Sequence, residues 1–238
     1  MAQAGVASRR HSDSIIIAGR VKLNGQTVVT PGTQVQPGSD EVTLDDKPLS
    51  MPGSRNWYLL NKPAGYLTTL YDPFKRLTVA SLIEDIPERV FPVGRLDRDT
   101  EGLLLFTNDG TLSYKLTHPR FGFEKEYHVY VKGIPQEGAL KELREGIILD
   151  GRTTATTKVM ILSRDETSAC LSMVLHEGRK RQIRRMCVHV GHPVLRLVRV
   201  RLGSLKDRNL PAGKWRSLTT DEIFSLEQKN NQTVKELG

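Results

Sequence analysis

The segment Gly94 to Gly110, GRLDRDTEGLLLFTNDG, sets Arg95-Leu96-Asp97 on a glycine-flanked turn ahead of a continuous apolar run. A carboxylate displayed on such a turn can act as a nucleophile or a general base. Further on, Lys125-Glu126-Tyr127 opens a second extended segment, and Gly178 to Met186, GRKRQIRRM, begins a very basic amphipathic helix. A carboxylate, an aromatic ring and a row of arginines therefore follow one another in fixed order. Asp99 and Asp109 compete with Asp97 for the reactive role, but their settings read as turn and capping positions. Cys187, His189 and His192 invite a metal reading, yet no second ligand cluster accompanies them, and none is assigned.

The elements that must position these residues follow from the pattern. Ser8 to Ile17 is expected to be a helix with Ser8 as cap and Ala18-Gly19 as stop. Arg20 to Leu23 and Gln26 to Val29 flank Asn24-Gly25, a two-residue hairpin signal because both turn positions need positive φ. Extended segments are expected near Val35 and from Glu41 to Leu44. Residues 1–48 thus form a small domain, 49–55 a linker, 56–226 a larger domain, and 227–238 a polar tail that frays. In the larger domain, strands are expected at Trp57–Leu60, Val90–Val93, Leu103–Thr107, Tyr127–Val131, Lys158–Leu162, Ala169–Leu175 and Val194–Leu202. Helices are expected at Thr111–Leu116 and Glu137–Glu145. Strands without regular crossover helices argue for an α+β fold with a mixed, mainly antiparallel sheet.

The chain has 238 residues and 38% hydrophobic content, sufficient for one ordinary domain and a small one. No apolar run reaches the roughly 18 residues of a membrane span, and the N-terminus has no secretory core. Two cysteines without paired spacing suit a reducing cytoplasm. The net charge is +8, and its distribution matters more than its size. Between His176 and Arg216 twelve Lys or Arg face only Glu177 and Asp207, a net of +10, so the remainder is slightly acidic. So concentrated a basic segment is the footprint expected for a polyanion, whose condensed counterions are released on binding.

The Lys62-Pro63 pair, the GRLD block, the Lys-x-Tyr block, HEGRKRQIRRM and the small N-terminal domain, taken in order, resemble the pseudouridine synthases of the RsuA/RluB type, over nearly the whole chain. The resemblance implies isomerisation of a uridine in ribosomal RNA, without a cofactor. It makes Asp97 the catalytic aspartate, Arg184 the arginine that pairs with it, and Tyr127 the ring that stacks on the flipped uracil. Lys62 would support the pocket. The small domain would be of the alpha-L type, named after ribosomal protein S-four, shortened ahead of Ala2. Arg9, Arg10, Arg20 and Lys22 would there face RNA. In the larger domain Arg95, Arg179, Lys180, Arg181 and Arg185 become RNA-contact candidates. Arg199 and Arg201, on one face of the Val194–Leu202 strand, would track a backbone.

The block GSLKDRNLPAGKWRSLT and the apolar GLLLFTNDG favour a large-subunit, 23S target over a 16S one. The expected partner is ribosomal RNA or a subunit-assembly intermediate, met by a cytoplasmic monomer without membrane contact. A non-catalytic assembly factor is the alternative from another class, opposed by the intact trio Asp97, Tyr127 and Arg184. A glycoside hydrolase would need a second acid that the chain does not supply.

Overall fold

A computed structural model describes residues 1–2, 4–36, 38–50 and 53–236. It divides into two compact units, Met1–Asn56 with Asn108–Gly110, and the remainder. Met51 and Pro52 of the expected linker, and the last two residues of the expected tail, lie outside the described residues.

In the first unit, α1 (Arg9–Ile17) starts where Ser8 Oγ accepts from the His11 amide. β1 (Val21–Leu23) and β2 (Gln26–Val28) form the hairpin over Asn24-Gly25, both with positive φ. β3 (Val42–Leu44) and β4 (Lys47–Pro48) complete a sheet of order β2-β1-β3-β4. Ile15, Val21 and Ala7 are its buried core. One expectation needs correction: Val35 lies in irregular chain, outside the strands of this sheet. Lys47-Pro48, at the end of the expected small domain, forms a short strand at the sheet edge.

The second unit is built on β5 (Trp57–Lys62), β6 (Phe91–Val93), β7 (Glu101–Thr107), β8 (Lys125–Lys132), β9 (Ile148–Leu149), β10 (Arg152–Thr153), β11 (Lys158–Arg164), β12 (Ser168–Leu175), β13 (Val194–Leu202) and β14 (Trp215–Ser217). Its helices are α2 (Gly110–Thr117), α3 (Glu137–Glu145), α4 (Gln182–His189) and α5 (Thr220–Glu236). The main sheet runs β11-β12-β8-β13-β7-β5-β14, with β6 on β7 and β9-β10 a separate hairpin. All its pairings are antiparallel except β13 with β7, so the fold is α+β with a mixed sheet.

β7 is an unbroken apolar run from Leu103 to Phe106, as suits a strand covered on both faces. Leu103 and Leu105 point into one core with Trp57 and Leu59, while Leu104 and Phe106 point into another with Tyr58 and Leu60. A third core lies under α3 and α4, where Leu140, Leu143, Ile183 and Met186 meet Val129, Leu171 and Met173. The tail expected to fray continues as α5 to Glu236. A capping box starts it: the Glu222 amide donates to Thr219 Oγ1 at 3.2 Å and Glu222 Oε2 accepts from the Thr219 amide at 2.9 Å. Leu226, fully buried, anchors it.

One row across this sheet sets the distances that matter. Lys62 on β5 is in register with Gly102 on β7, Gly102 with Arg199 on β13, and Arg199 with Tyr127 on β8. The parallel join rests on Gly102, whose φ is +102° and whose Cα permits no substituent, since a Cβ would lie 2.2 Å from the Arg199 carbonyl oxygen. Gly102→Ala is therefore expected to lower stability by at least about 3 kcal/mol, through strain and a backbone clash that no side chain can relieve. Urea denaturation checks this; a change under about 1 kcal/mol would mean the join is looser than described.

Candidate active site

Three adjacent strands, β8, β13 and β7, bring together segments far apart in sequence. Asp97 lies on the loop that enters β7, Tyr127 on β8, and Arg184 on α4, which leads into β13. All three line one cleft of about 610 Å³, with Leu67 and Thr68 on one wall. Six basic side chains, Arg95, Arg98, Arg179, Lys180, Arg181 and Arg184, line it against two acids, Asp97 and Glu177.

The loop bearing Asp97 is held by its backbone. Asp97 to Thr100 form a turn closed by the Thr100 amide on the Asp97 carbonyl at 3.1 Å. Beneath it the fully buried Lys62 ammonium shares its three N–H donors among the carbonyls of Thr100 (2.8 Å), Pro63 (3.0 Å), Asp97 (3.2 Å) and Arg98 (3.3 Å). The remaining carbonyl of the turn, Asp99, accepts from Arg184 Nη2 at 2.9 Å. Four consecutive carbonyls thus end on cations. Thr68 Oγ1 donates to the Leu96 carbonyl and accepts from the Leu96 amide, and the Gly65 amide donates to the Arg98 carbonyl. Burial pushes the Lys62 ammonium down from 10.5 to about 8, against the attraction of Asp99, Asp97 and Glu101.

The expected pairing of Arg184 with Asp97 is not what the structure contains. Arg184 Nη2 lies 3.3 Å from Asp99 Oδ2, and Arg181 meets the same carboxylate through two bonds of 3.0 and 3.2 Å. The turn explains it, since Asp99 stands at the corner nearest the start of α4. Burial acts to raise the Asp99 pKa, but Arg181 and Arg184 together hold it below the ordinary carboxylate value. Asp99 stands in the turn, as its setting predicts, and its carboxylate is also the partner of the two arginines at the start of α4. Arg184 Nε is buried with no hydrogen-bond partner among the described residues.

The basic segment is far less free than its composition implies. Arg179, half-buried, donates to the carbonyls of Arg152 and Thr153 and pairs with Glu177, which also accepts from Gln182 and the Ala155 amide. It braces the chain entering α4, and the helix begins only at Gln182, four residues later than GRKRQIRRM suggested. Arg185 is bound bidentately by Asp150 at 2.7 Å. Arg199 and Arg201 do not share the one face expected of them: a bulge between them breaks the alternation of β13. Arg199 is buried, donating to the Leu103 carbonyl, and Arg201 pairs with Glu124 and Glu126. In the first unit Arg20 and Lys22 pair with Asp45 and Asp46, whereas Arg9 and Arg10 are exposed. Arg95 and Lys180 are exposed at the cleft. Cys187 and Cys170 are buried thiols; burial pushes Cys187 up to about 12.

The chain is similar to known proteins over most of its length. Residues 56–189 match the RNA pseudouridylate synthase family, and residues 1–42 match the S4 domain. An uncharacterized RNA pseudouridine synthase of Aquifex aeolicus is 42% identical over 227 residues, covering 95% of this chain and 91% of its own. Ribosomal large subunit pseudouridine synthase B of Bacillus subtilis is 40% identical over 228 residues, covering 95% and 93%. A crystal structure of a pseudouridylate synthase superposes with a TM-score of 0.69 at 31% identity, over 94% of this chain and 95% of that one. With an S4 domain leading a mixed-sheet domain that carries a carboxylate, a tyrosine and a basic cleft, the chain belongs to the RNA pseudouridylate synthase family, isomerases that act on RNA.

Proposed function

We propose that this isomerase converts a specific uridine of ribosomal RNA, in the large subunit, to pseudouridine, with Asp97 as the reactive group. The observation that carries the reading is the Asp97 carboxylate itself. It lines a mainly cationic cleft that Tyr127 also lines, and among the described residues it has no ion pair or hydrogen bond of its own. Its backbone is fixed while its oxygens remain available to a substrate. The ribosomal target rests on the 40% identity to the Bacillus subtilis enzyme named for the large subunit.

The chemistry breaks the bond between ribose C1′ and uracil N1, turns the base, and joins C1′ to C5. A proton leaves C5 and one is gained at N1, so there is no redox change. Neither C1′ nor C5 is accessible within a stack, so the nucleotide must flip out. Asp97 then acts at the sugar, either by adding to it or by taking the C2′ proton to give a glycal. The Tyr127 ring, half-buried between two cores, offers a face to the detached uracil. Arg95, Lys180 and Arg181 supply contacts to phosphates at the mouth.

Carbodiimide primer-extension mapping on unmodified ribosomal RNA tests this. One new stop on large-subunit RNA, absent with Asp97→Asn although that variant binds RNA as tightly, is the expected result. A stop made equally by Asp97→Asn would remove the aspartate from the mechanism. A stop only on small-subunit RNA would move the target, and no stop on either would favour an assembly role.

Lys62 adds a pH dependence. Its folded pKa of about 8 lies below the unfolded value of 10.5. Between these values the unfolded chain binds more protons, so this group's contribution to stability rises with pH while the loop loses its charged donor. The single-turnover rate should fall above about pH 8 without a matching fall in melting temperature. The fall should persist in Lys125→Met, since burial pushes that ammonium down to about 8 as well. A rate that tracks the melting temperature would assign the fall to unfolding.

A further inference from the structure

Beside the catalytic cleft, and sharing Arg181 and Arg184 with it, a second groove of about 420 Å³ runs along the exposed face of α4. Leu149, Arg185, Val188 and His189 complete its lining. Arg181 and Arg185 are one helical turn apart, the Arg185 amide donating to the Arg181 carbonyl at 3.0 Å. That is a step of about 6 Å, comparable with the separation of neighbouring phosphates along a strand.

Neither arginine is free. Arg181 is held by Asp99, and Arg185 by Asp150, each through two N–H donors spread across both oxygens of one carboxylate. This is the fork geometry with which arginine also grips a phosphate. The pairs are solvent-exposed, with side-chain exposures of 45% and 48% for the first and 36% and 75% for the second, and so contribute little stability. Arg181 is also poorly suited to its backbone position. It occupies the N-cap of α4 at φ +51°, makes no side-chain cap, and stands where Ser, Asp or Gly would be favoured. The position is better explained by where its guanidinium is aimed than by what it does for the helix.

We infer that Asp99 and Asp150 are placeholder anions: they hold Arg181 and Arg185 aimed into the α4 groove until two successive RNA phosphates displace them. The α4 groove is then the exit path of the strand beside the flipped nucleotide. The carboxylates lower the affinity for RNA, since each phosphate contact made by Arg181 or Arg185 must first break an internal pair, and they keep the two arginines ordered in its absence. The inference rests on the RNA-modifying reading of the main cleft and adds to it the route of the backbone.

Asp150 permits a clean test, because it sits in the two-residue turn between β9 and β10 at φ +54°, a conformation that asparagine also adopts readily. Binding of a fluorescein-labelled oligouridylate would be followed by anisotropy over a potassium chloride series. The variants are Asp150→Asn, Arg185→Ala, the double variant, and Glu166→Gln as a charge-matched control on the exposed β11–β12 turn. Asp150→Asn should bind roughly three- to tenfold tighter at low salt, with a log–log salt slope steeper by about 0.7, the value for one more phosphate neutralised on a single strand. The gain should vanish in the Arg185→Ala background and be absent from Glu166→Gln.

A gain no larger than the control's, or one that survives loss of Arg185, would overturn the inference. If the wild type still forms pseudouridine in that case, only the placeholder role falls. If it neither binds the oligouridylate nor forms pseudouridine, the RNA-modifying reading falls with it.

Discussion

The buried ammonium of Lys62 and the row of carbonyls it gathers are the constraint on which the rest depends. An ammonium with no exposed surface is tolerable only when its protons are all accepted. Here the acceptors are main-chain oxygens, that of Pro63 beside three of the Asp97–Thr100 turn. Lys62 takes the carbonyls of Asp97, Arg98 and Thr100, and Arg184 takes that of Asp99. The main chain of Asp97, whose carboxylate is the proposed reactive group, is thereby fixed without contact to the carboxylate oxygens. Pairing those oxygens directly with an arginine would hold the group more tightly but would oppose its engagement with a sugar.

The sheet transmits this anchor to the remainder of the site. Lys62, Gly102, Arg199 and Tyr127 stand abreast on β5, β7, β13 and β8, so the ring and the loop share one register. Arg199 belongs to this frame and not to the surface. Its Nε closes on the Leu103 carbonyl, and its backbone lies against the bare Cα of Gly102. Two cations within the sheet repel one another, and Arg199 lowers the Lys62 pKa further, so the anchor is electrostatically costly and local.

Much of this was legible in the sequence where a local rule governs. Asn24-Gly25 predicts the hairpin, Val194 to Leu202 predicts β13 end to end, and the amphipathic pattern after Gly178 matches α4, whose Ile183, Met186 and Cys187 are buried. What escaped was set by partners distant in the chain. Nothing in GRLDRDTEG says that Asp99 instead of Asp97 faces α4, because that follows from the turn and from a helix more than eighty residues away. Charge was misleading for a related reason. Arg185, Arg196, Arg201 and Arg216 read as a basic surface, yet Asp150, Glu101, Glu124, Glu126, Asp207 and Glu222 meet them from elsewhere in the fold. α5 differs in kind: Thr219-Thr220-Asp221-Glu222 is a local capping-box pattern that starts the helix, and the polar composition after Glu227 does not end it.

The most direct measurement of the central claim is the single-turnover rate of Lys62→Met on modifiable ribosomal RNA, taken alongside its RNA affinity. If Lys62 fixes the loop that carries Asp97, the rate falls by roughly a hundredfold or more while affinity stays within about twofold of wild type, as expected for misplacing a reacting group by about an ångström. A folded variant turning over at the wild-type rate would contradict the account, because the carboxylate would then be positioned by something other than the carbonyl cage.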